Sequence, residues 1–317
     1  MRDIADATLQ AEARIRPHIR ETPLAESPAL GELAGGRALL KLENLQHTGS
    51  FKLRGALNVL LALPERERRR GIVAASSGNH GAAVAYGARA LGVPALVFVP
   101  GDASPVKVAA MRRLGAEVRA HGTDCVESEV FARAYTAERG MAYVSPYNDP
   151  LVVAGQGTVG VEIARQAERL DALVVAVGGG GLIGGTAAYL RSVWPGLRVI
   201  GAQPERSAVM AESVRAGRIL DLPSEPTLSD GTAGGIEPGA LTFDLCREVV
   251  DEFVLVPEEE IASGMRLMIE AEHVLVEGAA GVAVAGYLRL AERLRGQTVG
   301  VVLCGANVSL ATLRSIL

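Results

Sequence analysis

The sequence predicts an α/β fold of two lobes, each an open and mostly parallel sheet flanked by helices, with a cleft between them. From residue 72 onward, short apolar runs alternate with longer helical runs, and this order is typical of parallel sheets. Hydrophobic residues make up 49% of the chain, aromatic residues only 4%, and 37 residues are Gly. This composition fits Val/Leu/Ile strands and Ala-rich helices. Because 317 residues exceed the usual size of one domain, we expect two lobes.

The predicted elements alternate along the chain. In the first half, strands at 72–75, 95–99 and 117–120 are each followed by a helix, at 81–91, 105–114 and 124–139. In the second half, helices at 157–170 and 182–193 alternate with strands at 172–177 and 198–202. Residues 298–303 are apolar on both faces, as expected of a buried parallel strand. Gly92, Gly115 and Gly140 follow helical runs where a left-handed cap is expected.

We expect a large lobe of residues 1–47 and 148–317 and a small lobe of residues 48–147, with 71 as the latest start of the small lobe. The stretch 221–238 is rich in Pro, Ser, Thr and Gly and is long for a connection. It is therefore predicted to be a functional or a mobile loop. The charged run 65–70 carries both signs and is interpreted as the solvated end of a helix.

Charge, hydropathy and cysteine content exclude several classes of protein. A net charge of −4 without a basic stripe argues against nucleic acid as a partner. No uncharged apolar stretch reaches about 18 residues, and the first residues lack the apolar core of a signal peptide, so we expect a cytoplasmic protein without a membrane contact. Cys125, Cys246 and Cys304 show no CxxC spacing, which argues against disulfides or a cysteine-built zinc site.

The loop Gly178-Gly179-Gly180-Gly181-Leu182 follows a predicted strand and begins a helix. Four glycines expose backbone N–H groups and let a phosphate approach at the positive end of the helix dipole. A tight turn would need only one or two glycines. The same loop also satisfies GxGxxG through Gly184, with Glu205 about twenty residues later, so a nicotinamide-dependent oxidoreductase is an alternative from another class.

Two further loops carry polar side chains. Lys52 lies in SFKLRGA at residues 50–56, although a lone lysine is usually a solvated cation. Ser76, Ser77, Asn79 and His80 lie in SSGNHG, where a strand leads into a helix. Such a helix start can bind a carboxylate, and the same residues are also ordinary helix caps.

Together the three loops resemble the fold-type II pyridoxal-phosphate family, in its branch of serine/threonine dehydratases and serine racemases. The order SFKLRGA, SSGNHG, GGGGL is that of the family, and the motifs PVK, AGQGT and VLCGAN also agree. The resemblance spans about residues 24–310 and implies pyridoxal 5′-phosphate as cofactor, bound in the cleft between the lobes.

The resemblance also implies a role for each matching position. Lys52 would be the Schiff-base lysine and the catalytic base. Ser77, a second catalytic candidate, would lie on the opposite face of the substrate. The implied cofactor contacts are Phe51, Lys52, Asn79, Gly178, Gly179, Gly180, Gly181, Leu182, Gly231 and Cys304, and the implied substrate contacts are Ser76, Ser77 and His80.

The implied activity is that of a threonine/serine ammonia-lyase acting on a small amino acid. Cys304 would face the pyridine nitrogen as a weak donor without negative charge, which favours β-elimination over transamination. Ser77 could return a proton to the α-carbon, so serine racemase is the near alternative. A threo-3-hydroxyaspartate ammonia-lyase is the third, and a non-catalytic amino-acid sensor is a further alternative class.

Two departures from the family pattern carry expectations of their own. Some relatives hold a cation after the strand at 198–202, where this chain has Gln203, Ser207 and Val209. Because two carboxylates are missing there, we expect no metal at that place. The chain also ends soon after its last strand, so feedback through an appended regulatory domain is not expected. By analogy with relatives, we expect a homodimer or homotetramer.

Overall fold

The computed structural model describes residues 1–123 and 125–317, and its strands form two sheets. The larger sheet has the order β1-β2-β10-β7-β8-β9, and the smaller has the order β5-β4-β3-β6. Among the described strands, β1 and β2 form the antiparallel pair, and the other neighbours are parallel. The strands are β1 (Leu24–Ser27), β2 (Arg37–Lys41), β3 (Ile72–Ala75), β4 (Ala95–Val99), β5 (Glu117–Ala120), β6 (Ala142–Tyr143), β7 (Ala172–Ala176), β8 (Arg198–Pro204), β9 (Glu252–Val256) and β10 (Thr298–Val302).

Helices connect and flank these strands, which confirms the predicted α/β fold. In the described residues, no helix is both long and apolar enough to cross a membrane. The helices are α1 (Arg2–Ile15), α2 (Pro28–Ala34), α3 (Lys52–Ala62), α4 (Glu65–Arg68), α5 (Asn79–Leu91), α6 (Pro105–Arg113), α7 (Cys125–Arg139), α8 (Pro150–Gln166), α9 (Gly181–Val193), α10 (Val209–Ala216), α11 (Leu241–Val249), α12 (Glu258–Ala271), α13 (Gly278–Arg289) and α14 (Leu310–Ile316).

Most predicted element boundaries agree with the structure to within two residues, and residue 124, the predicted start of α7, lies outside the described residues. The predicted left-handed caps are confirmed, since φ is positive at Gly92, Gly115 and Gly140. The interpretation of 65–70 was wrong in one respect. Pro64 separates this run from α3, so α4 is a short helix of its own and its side chains are half-buried or exposed.

The helix predicted at 157–170 begins earlier, at Pro150, and ends at Gln166. Asp149 caps it by accepting hydrogen bonds from the N–H groups of Leu151 and Val152, and Pro150 suits the first helical position. The glycines inside this helix allow close packing against its neighbours. A Cβ on Gly155 would lie 2.6 Å from the Cα of Gly55 in α3.

A buried ion network joins the start of α3 to α8. The side chains of Arg54, Glu43, Glu162 and Lys41 are fully buried. The Arg54 guanidinium donates to both oxygens of Glu43 and both oxygens of Glu162, at 2.7 to 2.9 Å. Burial opposes ionisation of Glu162, but Arg54 and Lys41 outweigh it and lower the pKa of that carboxyl to about 2. Arg54 therefore fixes the helix that begins at Lys52.

The substitution Arg54→Met should lower the free energy of unfolding by about 3–5 kcal/mol, because it leaves buried carboxylates without their guanidinium partner. Urea titrations followed by circular dichroism would measure this loss. Arg69→Met is the matched control, since Arg69 pairs with Glu65 on the exposed surface and should leave the unfolding midpoint almost unchanged. An equal effect of the two substitutions would contradict the importance of the network.

Candidate active site

A cavity of about 270 Å³ is lined by residues that follow strands of both sheets, among them Ser76 after β3, Gly178 after β7 and Cys304 after β10. Ligands of open α/β sheets bind at these carboxyl ends. The loop predicted at 221–238 contributes residues 230–235 to the wall. The residues to which the family resemblance gives a cofactor, substrate or catalytic role all line this one cavity: Phe51, Lys52, Ser76, Ser77, Asn79, His80, Gly178, Gly179, Gly180, Gly181, Leu182, Gly231 and Cys304.

Lys52 is held in the cavity by backbone contacts with the chain after β10. Ser50 forms an isolated bridge with Gly305, and the Phe51 N–H donates to the Cys304 carbonyl at 3.1 Å. The Lys52 Nζ donates to the Pro146 carbonyl at 2.8 Å. Burial lowers the pKa of the Lys52 amine to about 8, so the neutral, nucleophilic form is a minor fraction near neutral pH but far more abundant than for a solvated lysine.

The glycine loop at the start of α9 has the geometry of an anion cradle. The Gly184 N–H donates back to the Gly180 carbonyl at 2.9 Å, whereas the N–H groups before it belong to the first turn, which lacks intrahelical acceptors. Gly180 has a φ of 83°, which favours glycine. A Cβ on Gly179 would overlap the ring of Tyr147, and one on Gly178 would lie 3.0 Å from the Thr232 Cα. The close walls of the cradle therefore require glycine.

The third glycine of the GxGxxG pattern is explained by helix packing. A Cβ on Gly184 would lie 2.6 Å from the Leu245 Cδ2 in α11. Glu205, the acid that the dinucleotide alternative needs, lies in a short 3-10 turn, and the residues that line the cavity do not include it. This geometry does not support the nicotinamide alternative.

The start of α5 supplies the second set of backbone donors. Its N-cap is Gly78, which makes no side-chain capping bond, while the Ser76 Oγ accepts from the Gly78 N–H at 3.2 Å. The first-turn N–H groups lack intrahelical acceptors, and Gly78, Asn79 and His80 line the cavity together with Ser77. The His80 Nε2 lies 2.8 Å from the Val144 carbonyl, and burial, followed by Lys52, lowers the pKa of His80 to about 3. The imidazole is therefore neutral.

Asn79 is oriented by residues that sequence reasoning missed. Its Nδ2 donates to both carboxylate oxygens of Glu277, at 2.8 and 3.0 Å, and its Oδ1 accepts from Asn307 Nδ2 at 2.6 Å. The Asn307 N–H donates to Glu277 at 2.9 Å. Burial raises the pKa of Glu277. Glu277 immediately precedes α13, and no local sequence pattern distinguishes it from a solvated acid.

The two remaining predicted positions, Gly231 and Cys304, lie near Glu277. A Cβ on Gly231 would meet the Glu277 Oε1 at 3.5 Å. Cys304 is a buried free thiol, and burial, followed by Glu277, raises its pKa well above the usual value. Cys304 is therefore a neutral thiol in the cavity wall. Further lining residues, to which the sequence analysis assigned no role, include Lys107, Glu129, Tyr147, Gln156, Asp230 and Thr232.

After β8, at the position where the resemblance implies a cation in some relatives, this chain has the side-chain amide of Gln203. The Gln203 Nε2 donates to the carbonyls of Val177 at 3.0 Å and Ser207 at 3.5 Å, and its Oε1 accepts from the Ala211 N–H at 2.7 Å. Within residues 1–123 and 125–317, no group of three or more His, Cys, Asp or Glu side chains is arranged to hold a metal ion.

The chain is similar to known proteins along most of its length. Residues 15–305 match the family described as pyridoxal-phosphate dependent enzyme. Over 305 residues the chain is 42% identical to an L-threonine ammonia-lyase of Thermotoga maritima, with 94% of this chain and 74% of that protein covered. It is 38% identical to an L-threo-3-hydroxyaspartate ammonia-lyase of Saccharomyces cerevisiae, over 95% of this chain and 92% of that one. Maize serine racemase has a similar structure, with a TM-score of 0.93 at 32% identity, covering 98% of this chain and 95% of that one.

The groups in the cavity fit pyridoxal phosphate. A buried amine suits its aldehyde, and the glycine loop offers N–H groups and no Cβ atoms to its phosphate. In the part of the chain that is described, His80 Nδ1 and Gln156 Nε2 are buried without a protein partner, and both residues line the cavity. The chain belongs to the family of pyridoxal-phosphate dependent enzymes, and pyridoxal 5′-phosphate is its cofactor.

Proposed function

We propose that the protein is a threonine/serine ammonia-lyase, which removes water from a β-hydroxy amino acid and releases ammonia. Threonine would yield 2-oxobutanoate, and serine would yield pyruvate. The proposal rests on one observation: the buried Lys52 amine shares a cavity with the glycine cradle and the start of α5. The similarity to an L-threonine ammonia-lyase supports this reaction.

In this proposal, the cavity residues divide into two sets. Phe51, Lys52, Asn79, Gly231 and Cys304 hold the cofactor ring, and residues 178–182 hold the phosphate. Ser76, Ser77 and His80 surround the substrate carboxylate, with the first-turn N–H groups of α5 as its main donors.

The cofactor, when bound, withdraws electrons from the substrate α-carbon and so acidifies its hydrogen. Lys52 Nζ, once the substrate amine has released it from the cofactor, would remove that proton as a general base, because its burial keeps a neutral fraction of the amine available. The Cys304 thiol carries no fixed negative charge in the cavity wall, which is consistent with elimination. Ser77 lines the same cavity, and a proton returned from its hydroxyl would give racemisation as a side reaction.

We also propose the lobe division 1–47 with 148–317 against 48–147. The strands of the larger sheet come from residues 24–41 and 172–302, and those of the smaller sheet from residues 72–143, which supports this division. A cytoplasmic location and a homodimeric or homotetrameric state remain predictions.

A panel of L- and D-hydroxy amino acids tests the proposed reaction. We expect L-threonine and L-serine to release a 2-oxo acid and ammonia in equal amounts, measured by coupled dehydrogenase assays. Chiral chromatography of the remaining amino acid measures inversion. If serine were inverted and no oxo acid formed, the protein would be a racemase and not a lyase. If only hydroxyaspartate were turned over, it would be a threo-3-hydroxyaspartate ammonia-lyase.

A further inference from the structure

The charged groups that line the cavity are mostly acidic. They include three carboxyl side chains, Glu129, Asp230 and Glu277, and two lysines, Lys52 and Lys107. Lys107 is already paired, since its Nζ donates to Asp230 Oδ2 at 2.9 Å. In the proposed function, Lys52 is the amine that reacts with the cofactor. The described cavity wall therefore offers no unpaired cation to a second negative group on the substrate.

Glu129, on α7, belongs to a cluster that neutralises Arg133. Arg133 NH2 donates to Glu129 Oε1 at 2.9 Å and to both oxygens of Glu237, at 2.9 and 3.0 Å. The Tyr143 hydroxyl donates to Glu129 Oε1 at 3.1 Å. The charge of Arg133 is thus shared by two carboxyl groups. Even with one proton held between these carboxyls, the cluster brings no net positive charge to the cavity.

The substrate α-carboxylate has its own donors at the start of α5, where Ser76 and Ser77 line the wall. A second carboxylate would enter the rest of the cavity, whose wall contains the side chains of Glu129 and Glu277. Burying a charge without a partner is costly, and placing it beside a like charge costs more. The hydroxyl and methyl groups of threonine carry no charge, so burying them incurs neither of these two costs.

We propose that this cavity selects neutral β-hydroxy amino acids and rejects those with a second carboxylate, and that Glu129 is a specificity-determining residue. The inference rests on the proposed lyase function and narrows its substrate class. It separates threonine and serine from 3-hydroxyaspartate by charge rather than by size.

L-Asparagine and L-aspartate test the inference directly, because they have nearly the same shape and differ in charge. Their dissociation constants are measured with the holoenzyme from changes in its visible absorbance, which needs no turnover. We expect L-aspartate to bind about tenfold or more weakly than L-asparagine. In Glu129→Gln this ratio should fall by about threefold or more, with little change for L-asparagine, because the like charge is removed while the amide oxygen still accepts from Arg133 and Tyr143.

Glu138→Gln is the matched control. It removes the same charge from the same helix, but Glu138 is exposed, with 75% of its side-chain surface accessible. The control should keep the wild-type ratio. Equal affinities of the wild type for the two amino acids, an unchanged ratio in Glu129→Gln, or the same fall in Glu138→Gln would each overturn the inference.

If Glu129→Gln fails to fold, kinetic measurements on the wild type still test the inference. The kcat/KM for L-threonine should exceed that for L-threo-3-hydroxyaspartate, and the reverse order would overturn the inference. Failure of the lyase function itself would appear differently, as an absence of oxo acid from every substrate, and would leave the binding ratio measurable.

Discussion

Replacing Lys52 by Ala should abolish turnover and the visible absorbance that arises when the lysine joins the cofactor aldehyde. The substitution removes both the attachment point and the proposed base, so we expect the rate to fall by about four orders of magnitude or more. Lys52 contributes its amine, held 2.8 Å from the Pro146 carbonyl, and the fold keeps it buried. Absorbance spectra and release of oxo acid would measure the two effects.

Lys107→Ala is the matched control, because Lys107 lines the same cavity but pairs with Asp230. It should retain the lysine-dependent absorbance. If Lys52→Ala kept this absorbance, or if Lys107→Ala lost it, the assignment of Lys52 would be wrong.

Gly179→Ala should weaken cofactor binding by about tenfold to a hundredfold, since forcing extra atoms into a close-packed place costs about 1–3 kcal/mol. The new Cβ would overlap the Tyr147 ring, whose hydroxyl accepts from the Glu237 N–H at 2.8 Å. To relieve this overlap, either the Tyr147 ring or the glycine loop must move. Titration of the cofactor-free protein with pyridoxal phosphate, followed by absorbance, gives the dissociation constant.

Gly235→Ala serves as the control for this substitution. Gly235 lines the same cavity, yet a Cβ there would meet nothing within 4 Å. Its cofactor affinity should remain that of the wild type. Unchanged affinity in Gly179→Ala would show that the loop relaxes without cost and that its glycines are not needed for the cradle.

Part of the site was accessible from sequence because the relevant signals are local. The four glycines and SSGNHG each lie where a strand leads into a helix, and the carboxyl ends of parallel strands converge. No such local signal identified Lys52. Its spacing alone indicated an ordinary lysine, and only the combination of motifs, read as a family resemblance, gave it a role. Its lowered pKa follows from burial that no local pattern encodes.

The sequence by itself determined the alternation of strands and helices and the loops that end them, because periodicity and helix punctuation act over a few residues. The tertiary structure decided which distant side chains meet. Asn79 and Glu277 are 198 positions apart, and Arg54 and Glu162 are 108 apart. Glu129 likewise lines the cavity only because α7 packs on the smaller sheet, with Arg133 reaching Glu237 across 104 positions. Such contacts depend on the packing of whole elements, which short-range sequence patterns do not specify.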